Sequence, residues 1–584
     1  MRVSDDLLAF YQRELVYLRD QGGEFARKYP QIAQRLALGD AESPDPHTER
    51  LIQAQAFLAA RVHRDLEREF PQFATSLLEH VCPSLAQPVP SMSVAEFRLD
   101  PSQGKVTAGF WVPRHTTLLA HDSKGLPCRM RTAWDSLLWP LQVVETRLVD
   151  GNQLSIRLRC DEGSDLAELE LDALRLHLHG EWTQTMPLYE LLVSAVTGLS
   201  VLTADGQHHR LAIRHWRELG FADGEQVLPE APNAAPAYTL LQEYFAFPRK
   251  FLFFECSGLR NRLGRGREVE LRLDLAADAP KPQQVDSQAL RTGCVPIINL
   301  FSRTSEPLRI DQRQHEYLLL ADRQREGSTE IHSILAVHAW DAENERSEQV
   351  PSFGALDPDA GDNGIFWSAR REPSLRPEMQ GSDIWLAFVD PGRHGKPPRQ
   401  PIVHANLLCT NRTLAEQMPP GSLLRPENLP GSLQVRCLYQ PSTQRPAPLA
   451  AQAMWQLVTL LRLNHGSLVD GSHDAAALRA MLMLFSAQGS RDLTQIRGLR
   501  TLHARPGTAH IGRDAWRGYC RGTDVSVEFD EAAFAGGSPL LLSAVLARFF
   551  ALYTTVNTFV RLSVLRRGEV WKQWPPMTGR QTLL

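Results

Sequence analysis

Residues 4–92 decide how this chain is read. They open with SDDLLAFYQRELVYLRDQGGEFARKYPQIAQRL (Ser4–Leu36), continue through SPDPHTERLIQAQAFLAARVHRDLEREFPQF (Ser43–Phe73) and close with HVCPSLAQPVPSM (His80–Met92). Ser4 suits a helix N-cap, and Asp5 and Asp6 suit the positive end of the helix dipole. Leu7, Leu8, Tyr11, Leu15 and Leu18 recur at helical spacing, and the Gly22-Gly23 pair predicts a stop. A second helix carries Phe25, Ala26 and Tyr29 and is interrupted at Pro30. Asp45 followed by Pro46 predicts the start of a third, because proline at the first helical position forfeits no hydrogen bond. On it Leu51, Leu58, Val62 and Leu66 make one face of a long helix expected to end before Pro71. Ile52, Phe57, Phe70 and Phe73 are apolar on other sides, and a helix apolar on several sides is usually buried on several sides. No nucleophile, metal-ligand cluster or phosphate loop stands out here. Packing is the role suggested.

Composition sets the wider bounds. A chain of 584 residues is too long for one core, so roughly three to five domains are expected. Hydrophobic content of 43% and charged content of 22% are ordinary for a globular protein. A formal charge of −4 and interspersed signs, as in RLRCDEGSD, give no basic footprint, so no nucleic-acid partner is expected. The eight cysteines are scattered without a CxxC pair, which predicts reduced, mostly buried thiols in a cytoplasmic protein. The acidic start lacks the apolar core of a signal peptide. PLLLSAVLARFFALYTTVNTFV (Pro539–Val560) has the length of a membrane span but changes character at Thr554, Thr555 and Asn557. It reads as a buried helix from Ser538-Pro539 to about Tyr553, followed by a strand.

The fold class expected is α+β and multidomain. After the N-terminal helical region, residues 1–92, the apolar period falls from about four to two. Val106, Ala108, Phe110 and Val112 alternate with Thr107, Gly109 and Trp111, and period-two alternation recurs in Leu154–Cys160 and Leu174–Leu178. Residues 93–285 therefore read as a β-rich domain with a short helix near Leu188–Val193. AADAPKPQQ (276–284) marks a border. Residues 286–440 read as a second β-rich domain whose insertion, 341–364, is an exposed loop. Residues 441–584 return to helical spacing and then to strands, an α+β unit.

Candidate chemistry is thin. His177 and His179 lie two apart on a strand, a possible metal pair, but Arg175 shares that face and exposed strand histidines are the better reading. His208 and His209 face opposite ways. GLRNRLGRGRE (Gly258–Glu268) lacks the order of a phosphate loop and reads as a turn. No catalytic signature is present, so no catalytic, cofactor or metal residue is assigned. Trp571 and Trp574, in VWKQWPPMTG, suit either an interface or the chain's own core.

Several segments resemble one known family. YQRELVYLRDQGGEFARKYPQIAQRL (Tyr11–Leu36), ESPDPHTERLIQAQAFLAARV (Glu42–Val62) and EFPQFATSLLEHVCPSLAQPVPSMSV (Glu69–Val94) resemble the N-terminal signature of TssF, also called ImpG or VasA. The likeness continues at EYFAFPRKFLFFE (Glu243–Glu255), CVPIINLFSRTSEPLRIDQRQHEY (Cys294–Tyr317) and LLCTNRTL (Leu407–Leu414). FFALYTTVNTFVRL (Phe549–Leu562) and the closing WPP…G (Trp574–Gly579) complete it. The resemblance implies a structural subunit of the type VI secretion baseplate, similar to the wedge proteins of contractile phage tails. It implies a second TssF copy, TssG and TssK as partners in a wedge. It also implies contacts with TssE, the VgrG spike and the sheath, and with the inner membrane only through the membrane complex. Partner-binding residues expected on that basis are Leu7, Tyr11, Leu15, Leu18, Leu51, Leu58, Val62, Leu66, Trp571 and Trp574. The alternatives are an enzyme whose site is assembled from distant loops, or a ligand-binding β protein, such as a carbohydrate-recognition module, using loop 341–364 and the strand of His177 and His179.

Overall fold

A computed structural model describes the chain apart from residues 1–4, 37–44, 122–124, 231–235, 281, 283, 312, 342–345, 354–364, 375, 377–378, 390–401, 431–432, 450–454, 460–474, 487–488, 512–517 and 581–584. It divides into two compact units: Met1–Glu79 with Leu449–Val458, and the remainder.

The first unit is helical, with α1 (Asp5–Lys28), α2 (Pro30–Arg35) and α3 (Pro46–Val81). Two expected breaks do not occur. Gly22-Gly23 lies inside α1, since a glycine costs only about 1 kcal/mol against alanine and strong helix formers flank the pair. Position 71 lies inside α3: a proline removes one backbone donor at a cost of about 3 kcal/mol, and the helix continues on either side. The expected start of α3 is as read. Asp45 accepts from the His47 backbone N–H and the Thr48 hydroxyl, both at 3.1 Å, and these bonds hold its carboxyl below the usual range. Ser4, expected as the cap of α1, lies outside the described residues.

The second unit is built around a closed six-stranded antiparallel barrel. Its order is Met92–Leu99, Cys294–Ile298, Pro127–Thr132, Thr117–His121, Leu423–Pro426 and Leu433–Cys437. Strands thus come from both the 93–285 and the 286–440 segments. Phe97, Leu118, Met130, Val295, Ile297 and Val435 fill the interior. The strand expected from Val106 is shorter, Phe110–Val112. Gly109, at φ +81°, turns the chain, and a Cβ there would lie 2.7 Å from Leu137 Cγ.

Two antiparallel sheets flank the barrel on the N-terminal side. One is ordered His208–Leu211, Val196–Thr203, Glu268–Leu275, Gln153–Cys160, Leu141–Val149. The other is ordered Trp216–Leu219, Phe253–Cys256, Leu174–Leu178, Leu290–Arg291. Helices α4 (Trp182–Ser194) and α5 (Pro236–Ala246) accompany them. A sandwich follows, its two sheets centred on Ile402–Thr410 and Ser382–Val389 and sharing the core of Val337, Leu386, Ala405 and Leu407. Part of the expected loop at 341–364 is strand: Arg346–Val350 pairs with Glu330–Asp341.

At the C-terminal end come α6 (Ala476–Phe485), α7 (Ser490–Arg497) and a sheet. Strands Tyr519–Phe529 and Thr558–Arg566 run parallel, which demands a crossover, and α8 (Pro539–Tyr553) supplies it. The Ser538 hydroxyl caps α8, accepting from the N–H groups of Leu540 and Leu541. Almost every side chain of α8 is buried, and no helix among the described residues is long and apolar enough to cross a membrane. The helix-then-strand reading of Pro539–Val560 therefore holds.

Within EYFAFPRK, Glu243 on α5 and Lys250 in the turn after it are fully buried and ion-paired. Glu243 Oε1 also accepts from the backbone N–H groups of Val227 (2.5 Å) and Leu228 (2.9 Å). Burial pushes the Lys250 ammonium down, and Glu243 opposes that shift. Removing one partner strands the other charge. Glu243→Gln should therefore cost about 3–5 kcal/mol in chemical denaturation, and Glu243→Leu with Lys250→Met far less. A single-variant loss below about 1 kcal/mol would show that the pair holds nothing together.

Candidate interaction surface

The structure sorts the expected helical contacts into two groups. On α1, Leu7 is 7% exposed and Tyr11, Leu15 and Leu18 are half-buried, so this face lies within the unit. Beside it Glu14 pairs with His63 of α3 at 2.6 Å, and Arg19 pairs with Glu49 of α3 at 2.5 Å. These pairs and buried Ala56 and Ala60 mark the inner face of α3. Leu51, Leu58 and Val62 are 71%, 55% and 58% exposed. At 3.6 residues per turn they fall within roughly 40° of one another, roughly 160° from the alanines, along about 17 Å of helix. Three large apolar side chains in a row, uncovered, make a stripe rather than scattered exposure. The Leu66 side chain lies outside those described.

The tryptophans separate as well. Trp574 is 2% exposed and fills the chain's own core, which removes it from any partner surface. Its backbone N–H donates to Leu562 O at 3.0 Å, extending the sheet beyond Glu569–Gln573. Trp571 is half-buried beneath the Arg566 guanidinium, 4.8 Å from the ring centre, and Arg566 is itself held by both oxygens of Glu531.

The polar clusters in the second unit are structural in geometry. His177, expected on a wet strand face, is instead fully buried. His177 Nε2 and His179 Nδ1 both meet the Tyr439 hydroxyl, at 3.0 and 2.7 Å, while the Arg249 guanidinium lies 3.9 Å from that ring's centre. The burial was not legible from the strand pattern because the partner comes 260 residues later. Burial lowers His179 to about 4 and holds His177 well below the usual range. Gly258–Glu268 forms the expected turn, with Asn261, Gly264 and Gly266 at positive φ. Among the described residues no group of three or more His, Cys, Asp or Glu could hold a metal ion.

A polar cleft of about 610 Å³ is lined by Glu96, Arg98, Arg159, Asp161 and Arg291. Its charges are largely used internally: Glu96 pairs with Arg98 (3.2 Å) and Arg291 (3.3 Å), and Arg159 with Glu268 (2.6 Å). Cys160 also lines it, and burial pushes this thiol to about 12, which keeps it protonated and weakly nucleophilic at neutral pH.

Comparison with known proteins gives a consistent set of likenesses. The family model described as type VI secretion system, TssF, matches residues 3–581. The chain is 36% identical to the type VI secretion system component TssF1 of Pseudomonas aeruginosa over 605 aligned residues, covering 96% of this chain and 97% of the relative. A chain of the type VI secretion system TssK-TssF-TssG baseplate subcomplex, solved by cryo-electron microscopy, superposes with a TM-score of 0.73 at 26% identity. It covers 91% of this chain and 100% of its own length. A chain of the baseplate complex from the type VI secretion system gives 0.60 at 23% identity, covering 99% and 100%, a likeness of fold.

Two outcomes follow from this geometry. Leu58→Asp should leave the melting of the isolated chain nearly unchanged, whereas Leu7→Asp, which buries a carboxylate, should cost several kcal/mol. Equal losses in the two variants would mean that the stripe is covered by the chain itself. The histidine cluster sets a pH dependence. Unfolded histidines take up protons near pH 6.5, while folded His179 does so only near 4 and burial holds His177 well below its usual range. The unfolded state thus binds more protons in that window, so stability present above about pH 6.5 is lost as pH falls towards 4. His179→Gln should make the pH–stability curve shallower there; an unchanged slope would remove His179 from the account.

Proposed function

The chain belongs to the type VI secretion system TssF family, and on that premise we propose that it serves as a structural subunit of the baseplate wedge, held to its neighbours through the α3 stripe. The observation that carries this is the row of Leu51, Leu58 and Val62, left open on a helix whose opposite face is already satisfied. Burying each such side chain contributes roughly 1.5–3 kcal/mol, enough to make the row an anchor for an apolar partner surface. The partners of this reading are TssG, a second copy of the chain and TssK, with TssE, the VgrG spike and the sheath as further neighbours. The site of assembly is the cytoplasmic side of the inner membrane, reached through the membrane complex.

On this reading the protein's work is mechanical and no substrate bond is broken on it. Leu7, Tyr11, Leu15 and Leu18 support the unit from within, while Leu51, Leu58 and Val62, with Leu66, meet the partner, and Trp571 is a secondary contact. Segments 93–285, 286–440 and 441–584 act as the spacer and docking body. Contraction of the sheath switches packed interfaces between discrete arrangements, since close-packed contacts do not deform continuously.

Co-expression with TssG and TssK from the same cell, followed by mass measurement of the purified species, tests this. A ternary complex containing this chain is expected, with its yield sharply lowered by Leu51→Asp combined with Leu58→Asp. A chain that stays monomeric beside both partners would sink the reading.

A further inference from the structure

The strand Trp216–Leu219 is the outer strand of its sheet, and Glu569–Gln573 is an outer strand of the C-terminal sheet. Both line a cleft of about 460 Å³, together with the end of α4 and one residue of α8. That volume lies within the roughly 300–1,000 Å³ of small-ligand sites. Val193, Val196, Ile213, Trp216, Phe221 and Pro575 give the cleft apolar walls. Its charged side chains are Arg217, Glu218, Glu225, Arg548 and Lys572.

Two of these five are fully occupied. Glu225 Oε2 accepts from the backbone N–H groups of Gly220, Phe221 and Ala222 at 2.6–3.1 Å, and Oε1 accepts from Arg217 at 3.3 Å. Arg217 Nε in turn donates to Glu255 at 2.8 Å. The remaining three are not so committed. Among the described residues Lys572 Nζ makes one hydrogen bond, to Val193 O at 2.7 Å, and no ion pair. A neutral carbonyl thus pins the ammonium in place and leaves it two further N–H groups. The Arg548 guanidinium lies 4.5 Å from the Phe221 ring centre, with Nη1 on Ala544 O at 3.4 Å. Its Nη2 stands 3.8 Å from Glu218 Oε2, an ion pair without a hydrogen bond. Two cations are therefore set against one carboxylate. Lys572 is half-buried, and burial lowers its pKa, a shift that Glu218 opposes and Arg548 reinforces.

An ammonium with spare donors, in an apolar-walled cleft carrying one excess positive charge, has the makings of a receptor for a monoanion. From this arrangement we infer that the cleft binds a small monocarboxylate with an apolar or aromatic body. The carboxylate accepts from Lys572 Nζ and Arg548 Nη2, while the body lies against Ile213, Trp216 and Phe221. Glu218 Oε2 is enclosed and out of a ligand's reach, so its charge serves Arg548. A single excess charge matches a carboxylate; the second charge of a phosphate would go unpaired, and an inorganic ion would leave the walls unused. The site lies wholly in the second unit and is independent of the α3 stripe and of the baseplate reading.

The test uses the full chain and three probes, phenylacetate, indole-3-acetate and octanoate, each titrated calorimetrically against chloride at matched ionic strength. At least one should bind with one-site heats. The amide of that probe, which keeps the body and loses the charge, should bind roughly tenfold more weakly or worse. Lys572→Met should lower the affinity for the acid by roughly tenfold or more. Ile213 is exposed, so Ile213→Asp places a negative charge at the rim without loss of fold. It should weaken the carboxylate as well, and it carries the test if the methionine variant does not fold. Absence of heats with all three acids overturns the site. So does an amide that binds as tightly as its acid, or an affinity that neither substitution changes.

Discussion

Closing six strands into a barrel consumes every strand edge, so whatever flanks the barrel must be fastened to it by side chains rather than by shared ladders. The fastening between barrel and sandwich is a knot of two buried asparagines. Asn299 donates to Arg129 O at 2.7 Å and to Asn411 Oδ1 at 2.9 Å, while its own oxygen accepts the Asn411 backbone N–H at 2.7 Å. Asn411 Oδ1 also accepts the Arg129 backbone N–H, at 2.8 Å. Arg412, at φ +51°, then ties the turn after Ile402–Thr410 back to the carbonyls of Thr329 and Gln380. Asn299, Asn411 and Arg412 are all buried, and a lost partner there leaves an orphan worth about 1–3 kcal/mol. The joint is therefore specific in register.

The segments that carried the family likeness are these joints. CVPIINL contributes Asn299, LLCTNRTL contributes Asn411 and Arg412, and EYFAFPRK contributes Glu243, Arg249 and Lys250. Their sequences looked featureless as chemistry because their polar residues serve the fold. A buried asparagine or an ion-paired lysine reads, in a bare sequence, like any loop residue, and the partner that gives it meaning lies far along the chain. Asn299 and Asn411 are 112 positions apart, and His179 and Tyr439 are 260 apart.

Local signals were the legible part. The Asp45-Pro46 and Ser538-Pro539 starts, the period-two strands at Leu154–Cys160 and Leu174–Leu178, and the turn at Gly258–Glu268 depend on neighbours within a few residues, and all are present. Signals that weigh a local cost against a distant gain misled. Gly22-Gly23 and Pro71 are penalties of about 1–3 kcal/mol that long helices outweigh. The interleaving of 93–285 with 286–440 in one barrel was equally out of reach, because pairing between distant strands leaves no periodic trace. For the candidate surface, the sequence named both apolar faces but could not tell α1 from α3, since inner and outer stripes carry the same residue types.

What separates the faces is the quality of the inner contact. Among described side chains, the apolar core of the first unit is Leu7, Ala33, Ala56, Ala60, Leu78 and Leu457, half of it alanine. The two cross-helix ion pairs seen among its described residues are partly exposed, and such pairs contribute about 0–1 kcal/mol. Alanines let α1 and α3 approach closely but bury little apolar area, and a few helices without a sizeable core are marginal alone. The uncovered Leu51, Leu58 and Val62 offer more hydrophobic stabilisation than the alanine face behind them supplies. On the proposed reading, a unit so arranged reaches its full stability when its outer stripe is covered. Its order and its assembly are then one equilibrium, in which the free energy of docking also consolidates the helices.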